Sequence, residues 1–364
     1  DFKLLRHYVA LSLILTLIIS LLLTIPTVTA SRLLLAWMHT PENIIAMADA
    51  YIKVIFAGIL LTMAYNVLSG ILRGIGDSRT PLYFLILSSV LNIILDVVLI
   101  VYTGLGTAGA AYATIIAQGV SAVLCFFYMY RKYDILRTRH EDYYLDSAGV
   151  KNMLAIGVPM ALNYSITAIG TMIMQSAVNV FGSSVVAAFT AASKVSNIAT
   201  QSMPTLGTAM ATYCGQNLGA GKYDRIYAGM RQGLFLCFGA AATAAAICIF
   251  GGRFIVSWFV SNPSEEIFSS AMQYLTIASW FFLPLAMIFL YRNALQGLDQ
   301  GLIPMLSGVV ELACRFGVIA LIPASTGFFG VCFADPAAWA GAGIPLFITY
   351  LLWEHRMKQC SKAA

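Results

Sequence analysis

The chain has 364 residues, 60% of them hydrophobic, with 21 Lys or Arg and 16 Asp or Glu. Soluble domains carry roughly 25% charged residues, and the 10% present here cannot cover a wetted surface, which excludes a soluble enzyme. No polar tract or charge run supports a disordered chain, so an all-α polytopic membrane protein remains.

A helix needs about 20 mostly apolar residues to cross the hydrocarbon. Ten such stretches are centred near residues 18, 61, 91, 119, 166, 198, 240, 281, 313 and 345. Alternation of apolar and polar residues, the mark of a barrel strand, is absent. The basic residues between the spans collect in alternate connections. Lys3 and Arg6, Arg73 and Arg79, Arg131 to Lys151, Lys222 to Arg231, and Arg356 to Lys362 fall on one side. The opposite connections, near His39 to Asp49, Thr103 to Thr107, Gly182 to Ser184, Ser261 to Glu266 and Thr326 to Asp335, have no Lys or Arg. By the positive-inside rule the basic side is cytoplasmic, so both ends of the chain are predicted cytoplasmic in a plasma (inner) membrane. Arg32, Lys53 and Arg253 lie near the outer ends of spans and snorkel.

A charge at the bilayer centre costs at least about 2.5 to 3.5 kcal/mol, so the few charges within spans are informative. In the third span Asp96 follows Asn92 at i+4, which places both on one helix face. A carboxylate with a carboxamide beside it holds Na⁺ with hard oxygens or exchanges a proton. Thr114, on the next span, adds a hydroxyl; helix-packing hydrogen bonds are the bland alternative. The stretch from Arg131 to Lys151 is the longest polar interruption and reads as a solvated cytoplasmic linker, since charge topology already accounts for its basic residues. In the following spans Asn163, Gln175, Asn179 and Gln201 read as interhelical hydrogen bonds or substrate contacts. Lys194 is an unpaired cation in a small-residue helix and is expected to face a cavity, with Glu311 as one available partner. Glu311 and Arg315 are again four apart, and read equally as a structural ion pair or as an ion or substrate site. Pro26, Pro159, Pro204 and Pro284 interrupt apolar stretches and are expected to bend them. The cysteines have no metal-like spacing and read as packed apolar residues.

An internal repeat is offset by about 223 residues. Leu72-Arg73-Gly74 with Pro81 returns as Leu295-Gln296-Gly297 with Pro304, Thr103-Gly104 as Thr326-Gly327, and Tyr51 as Tyr274. Two spans between Lys151 and Tyr223 have no partner in the first copy, so a further pair of helices, on the order of 80 residues, is expected upstream of Asp1. The expected architecture is two six-helix lobes related by a parallel repeat: residues 1–130 as an N-lobe with four of its six helices, 131–151 as linker, 152–354 as a six-helix C-lobe, and 355–364 as a tail. Two such lobes with a substrate path between them make an alternating-access transporter. No phosphate-binding Gly loop or nucleophile elbow is present, so neither ATP-driven transport nor enzyme activity is expected.

These residues resemble the multidrug and toxic compound extrusion (MATE) family. The resemblance is carried by Leu72-Arg73-Gly74-Ile75-Gly76-Asp77-Ser78-Arg79-Thr80-Pro81, Leu91-Asn92-Ile93-Ile94-Leu95-Asp96 and Gly106-Thr107-Ala108-Gly109-Ala110-Ala111-Tyr112-Ala113-Thr114. Gly215-Gln216-Asn217-Leu218-Gly219-Ala220-Gly221 and Tyr291-Arg292-Asn293-Ala294-Leu295-Gln296-Gly297 extend it to the second half. It implies antiport of lipophilic, often cationic small molecules against Na⁺ or H⁺, with no other cofactor. It implies a cation site at Asn92, Asp96, Thr114 and the Ala110 carbonyl, with Asp96 the metal ligand if Na⁺ is the coupling ion. The acids that some members carry on the first and fourth C-lobe helices are absent here. The expected partners are the lipid bilayer and the transported compound, with no nucleic acid, and a monomer is expected. A lipid-linked oligosaccharide flippase of the same superfamily is the rival within transport; it would use several cavity-facing Arg or Lys for a pyrophosphate, for which Lys194 and Arg315 are the candidates. A chain that only packs, without transporting, is the reading from another class.

Overall fold

The computed structural model describes residues 2–37, 42–260, 264–322 and 324–363; the described residues form helices and turns, with no strand. Asp1 and parts of the connections predicted around His39 and Ser261 lie outside them. The chain divides into two compact units, Asp1–Lys151 and Asn152–Ala364.

In the first unit, α1 (Phe2–Thr29), α2 (Ser31–Trp37), α3 (Glu42–Ala57), α4 (Ile59–Gly74) and α5 (Arg79–Val97) lead into a π-helical turn at Val98–Tyr102, and then α6 (Gly106–Lys132). Helices α3 and α4 bend by 44° at Gly58 and together are long and apolar enough for one span. A Cβ on Gly58 would lie 2.2 Å from Ile115 Cγ2, so the absence of a side chain lets α6 close on the bend. A small core of Val9, Leu68, Leu72, Cys125, Met129 and Leu136 joins the start of α1 to the ends of α4 and α6.

Helix α4 stops through a backbone device. Gly76 has φ +97°, its N–H donates to Arg73 O at 3.0 Å, and the Asp77 N–H donates to Leu72 O at 2.9 Å. This is the Schellman closure, which needs a left-handed residue. The Asp77 carboxylate then caps α5 by accepting from the Thr80 N–H at 3.1 Å. It also accepts from the Thr80 hydroxyl and the Tyr133 hydroxyl, each at 2.7 Å.

The stretch expected to be a solvated linker is instead tied to α1. Asp142 is 1% exposed, accepts from the Arg139 N–H at 2.7 Å, and pairs with Arg6 Nε at 3.2 Å. The His7 ring stacks on Tyr144 with centroids 4.0 Å apart. A buried acid needs such donors, and the basic residues that looked like topology signals supply part of them.

In the second unit, α7 (starting at Ser147 and ending at Asn179), α8 (Ser183–Thr200), α9 (Ser202–Gly219), α10 (Tyr223–Phe259), α11 (Glu265–Trp280), α12 (Phe282–Gly297), α13 (Leu302–Leu321), α14 (Gly327–Val331) and α15 (Ala334–Ala363) follow in order. A continuous core links α7 through α15. Among the described residues, seven helices are long and apolar enough to span a membrane alone, and nine spans result when α3–α4 and α11–α12 each count once. The tenth predicted span, near residue 198, is α8 and α9, which break at Gln201 and are too polar to meet the same test. Pro204 and Pro284 mark breaks in their apolar stretches, in line with the expectation. Each is the third residue of its helix, α9 and α12, three positions after the breaks at Gln201 and Phe281, the second a bend of 52°.

The repeat is visible in the helix boundaries. Moving α3, α4 and their bend forward by 223 positions gives the bounds of α11 and α12, which bend by 52°. Asp299 falls where Gly76 stands, with φ +63°, and the same closure follows it: Gln300 N–H donates to Leu295 O at 2.9 Å and Asp299 N–H to Gln296 O at 3.1 Å.

Candidate functional sites

The first site lies on α5 and α6. Asn92 and Asp96 are both partly buried, one helical turn apart. The Asn92 amide donates to the Thr114 hydroxyl at 3.4 Å, and that hydroxyl donates to the Ala110 carbonyl at 3.0 Å. The four residues proposed from sequence therefore lie on two packed helices, three of them in one hydrogen-bonded chain. Asp96 contributes something different. Its Oδ1 is buried and has no donor among the described residues. A buried carboxylate oxygen left without a partner is costly unless the group takes up a proton or a cation. Immediately after Asp96 the helix widens into the π-turn, and α6 approaches it closely: a Cβ on Gly109 would lie 2.7 Å from the Leu99 carbonyl oxygen.

The second site is a cavity of about 570 Å³ inside the second unit. Its wall is mixed, with Met174, Phe189, Phe289 and Trp339 beside Asn163, Gln175, Asn197, Gln201, Asn293 and Gln296. Asn163 is fixed to the wall, because its Nδ2 donates to Pro304 O at 2.9 Å. Gln175 donates to Asn179 at 3.0 Å, and only Gln175 of the two lines the cavity. Gln201 lines it at the break between α8 and α9.

A four-charge cluster forms one side of the cavity. Arg292 Nη2 lies 3.0 Å from Glu311 Oε2, Arg315 Nη2 lies 3.3 Å from Glu311 Oε1, and Arg315 Nε lies 2.9 Å from Asp335 Oδ1. The Tyr274 hydroxyl donates to Asp335 Oδ2 at 2.9 Å. The Glu311–Arg315 pair expected at i,i+4 is thus present but is only the middle of a chain across α11, α12, α13 and α15. Two positive and two negative groups cancel, as buried charges must.

Lys194 is not part of it. It is exposed, does not line the cavity, and its Nζ sits 5.4 Å from the centroid of the Phe259 ring. The small residues around it, Ala191 and Ala192, are the ones that turn inward and are buried. Sequence reasoning missed Arg292, Asp335 and Tyr274. Asp335 was placed in an outer connection, whereas it is the second residue of α15 with a side chain 13% exposed. A signal existed for Arg292: it is the one charge in Tyr291-Arg292-Asn293-Ala294, a segment otherwise suited to a span.

Together these features define a multi-pass helical membrane protein with ionisable groups held inside its helical units, built on a repeat. The chain belongs to the MatE family, whose model matches residues 1–98 and 159–321; it is a family of transporters rather than enzymes. It is 29% identical over 306 residues to a probable multidrug resistance protein, YpnP, of Bacillus subtilis, covering 83% of this chain and 67% of that protein. It is 25% identical over 299 residues to a FAD transporter of Shewanella oneidensis, covering 79% of this chain and 63% of that one. The match thus spans about two thirds of the length of these relatives. The fold is shared with a MATE crystal structure solved in complex with MaL6, at a TM-score of 0.90, 22% identity, and coverage of 97% of this chain and 80% of that chain.

Proposed function

We propose that the protein exports small molecules by antiport against Na⁺ or H⁺, and that Asp96 carries the coupling ion. The single observation behind this is the buried Asp96 Oδ1 without a donor, one turn from Asn92 and beside the Thr114–Ala110 chain. A lone acid among neutral oxygens suits a monovalent ion, since one negative charge is neutralised by one Na⁺ or one proton. Release of the ion leaves an unpaired buried charge, and this energetic difference is what an antiporter needs to bias one conformation over another. The protein acts in a plasma (inner) membrane with the basic connections toward the cytoplasm, in keeping with the charge asymmetry.

For the substrate, the cavity in the second unit supports a small molecule with both an apolar body and hydrogen-bonding groups. Its charges cancel, so it offers a cationic drug no attractive field. The carboxamides favour a second reading, a polar solute, and the relative named as a FAD transporter agrees with it. A flippase for a pyrophosphate-linked lipid is less favoured, because both cavity arginines are matched by Glu311 and Asp335.

The test is efflux from vesicles under imposed Na⁺ or H⁺ gradients. Asp96→Asn is expected to abolish gradient-driven efflux, while Lys194→Ala retains it. Undiminished efflux by Asp96→Asn overturns the reading.

A further inference from the structure

The two units answer the same repeat register with opposite charge. The 223-residue offset that maps the bent pair α3–α4 onto α11–α12 also maps Asn92 onto Arg315 and Asp96 onto Ile319. Where α5 carries a carboxamide and an acid, α13 carries a guanidinium and an alkyl group.

That guanidinium is held by two acids through its Nε and Nη2, while its Nη1 is buried with no acceptor among the described residues. Glu311 Oε1 and Asp335 Oδ1 lie 3.3 and 2.9 Å from its nitrogens, and its side chain is 4% exposed. The other oxygen of each acid is engaged elsewhere, Glu311 by Arg292 and Asp335 by the Tyr274 hydroxyl. Helix α7 makes room for it at Gly170, where a Cβ would lie 2.0 Å from Arg315 Nη1. All four carboxylate oxygens of the cluster therefore have donors, whereas Asp96 Oδ1 in the first unit has none. The charges add up in the same sense: with Arg315 the cluster is neutral, and without it Arg292, Glu311 and Asp335 leave one net negative charge, the complement of one monovalent cation.

We infer that Arg315 is a tethered cation, permanently seated in the second unit's counterpart of the cation site, with Glu311 and Asp335 as its acid ligands. It confines exchangeable cation binding to Asp96 and leaves the second unit to the substrate. The inference rests on reading Asn92 and Asp96 as the first unit's cation site. It differs from a helix-pinning ion pair in one respect. If Arg315 stands in for a free ion, then removing its side chain creates a binding site for a small cation that Asp335 and Glu311 hold. A side chain that only pins helices leaves no such site.

The experiment is chemical rescue, run in an Asp96→Asn background so that the first site takes no part. Thermal unfolding of purified Arg315→Ala, Arg315→Lys and the Asp96→Asn parent is measured with N-methylglucamine, a cation too bulky for the hole, as the only cation. It is then repeated with methylguanidinium or Na⁺ added. For Arg315→Ala, either small cation is expected to raise the melting temperature by about 2 °C or more at ten times its Kd. The parent and Arg315→Lys, which keep a fixed cation, should not respond, and adding Asp335→Asn should remove the response. An Arg315→Ala protein that folds and ignores both cations overturns the inference, as does a response that survives Asp335→Asn together with Glu311→Gln. If Arg315→Ala is not folded in N-methylglucamine, it is prepared in methylguanidinium throughout; folded protein that unfolds when the ion is dialysed away supports the inference, and failure to fold even then overturns it. The Asp96 reading fails separately, if Na⁺ or protons shift the wild type and Asp96→Asn equally.

Discussion

Residue 299 carries an aspartate in a conformation that glycine adopts without strain. Its φ of +63° sits in the left-handed region, and its repeat partner, Gly76, has φ +97°. The left-handed conformation costs a residue with a Cβ roughly 1 to 2 kcal/mol, a little less for Asp, whose short side chain tolerates it. Asp299→Gly is therefore expected to stabilise the second unit by about 0.5 to 1 kcal/mol. A raised melting temperature checks it; a lowered one means that the Asp299 side chain does more than occupy a turn. Asp77, in the turn between α4 and α5, makes a second prediction at this scale. Burial pushes its carboxyl up, but the hydroxyls of Tyr133 and Thr80, the Thr80 N–H and the Lys132 ammonium outweigh that and hold it at about 2. Because the folded value lies below the ordinary 3.8, the stabilisation is complete above about 3.8 and is lost as pH falls through about 2. The melting-temperature gap between wild type and Asp77→Asn should accordingly narrow as pH drops from 5 toward about 2. A gap independent of pH would show that the carboxylate charge is irrelevant to the turn.

At the scale of elements, the helix breaks matter more than the helices. The long apolar runs are legible from composition alone, because a bilayer demands about 20 apolar residues in a row. The breaks at Gln201 and Phe281 were signalled by Pro204 and Pro284, three residues further on. The bend at Gly58 was not legible, because it depends on α6 closing on Gly58 and hydropathy carries no information about neighbours. The π-turn at Val98–Tyr102 was hidden for the same reason. Its widening follows Asp96 directly, and Gly109 is the residue that lets α6 lie against its backbone. Gly109→Ala is expected to force these helices apart and to cost about 1 to 3 kcal/mol. The Asn92–Thr114 bond should weaken with it, so ion-dependent transport falls along with the melting temperature. Unchanged stability in Gly109→Ala would mean that the two helices separate freely there. Within α8, the cavity-facing side was not legible because small residues give little periodicity: Ser193, Ser196, Asn197 and Thr200 line the cavity, whereas Lys194 is exposed and is not among its lining residues.

For the whole molecule, the repeat was the most informative signal in the sequence, and its offset carries the bounds of α3 and α4 onto those of α11 and α12. Asn92 and Asp96 were legible as neighbours because they are one helical turn apart on a single helix, so spacing nearly fixes their geometry, whereas the Ala110 carbonyl came only with the family resemblance. The charge cluster was legible only in its i,i+4 pair, Glu311–Arg315. Arg292 lies 19 positions from Glu311, and Asp335 lies 20 from Arg315, on other helices, so only tertiary packing joins them. On the proposed reading the two units divide the labour. In the first unit the Asp96 Oδ1 has no donor among the described residues and would take the ion; in the second, Glu311 and Asp335 of the cavity are already matched.

The central claim is that Asp96 holds the ion exchanged for substrate. The most direct measurement adds a transported compound to the purified protein and records the cation released, with radioactive sodium or with a pH indicator in weak buffer. The account predicts release from the wild type and from Lys194→Ala, and none from Asp96→Asn. Equal release from Asp96→Asn and wild type would contradict it.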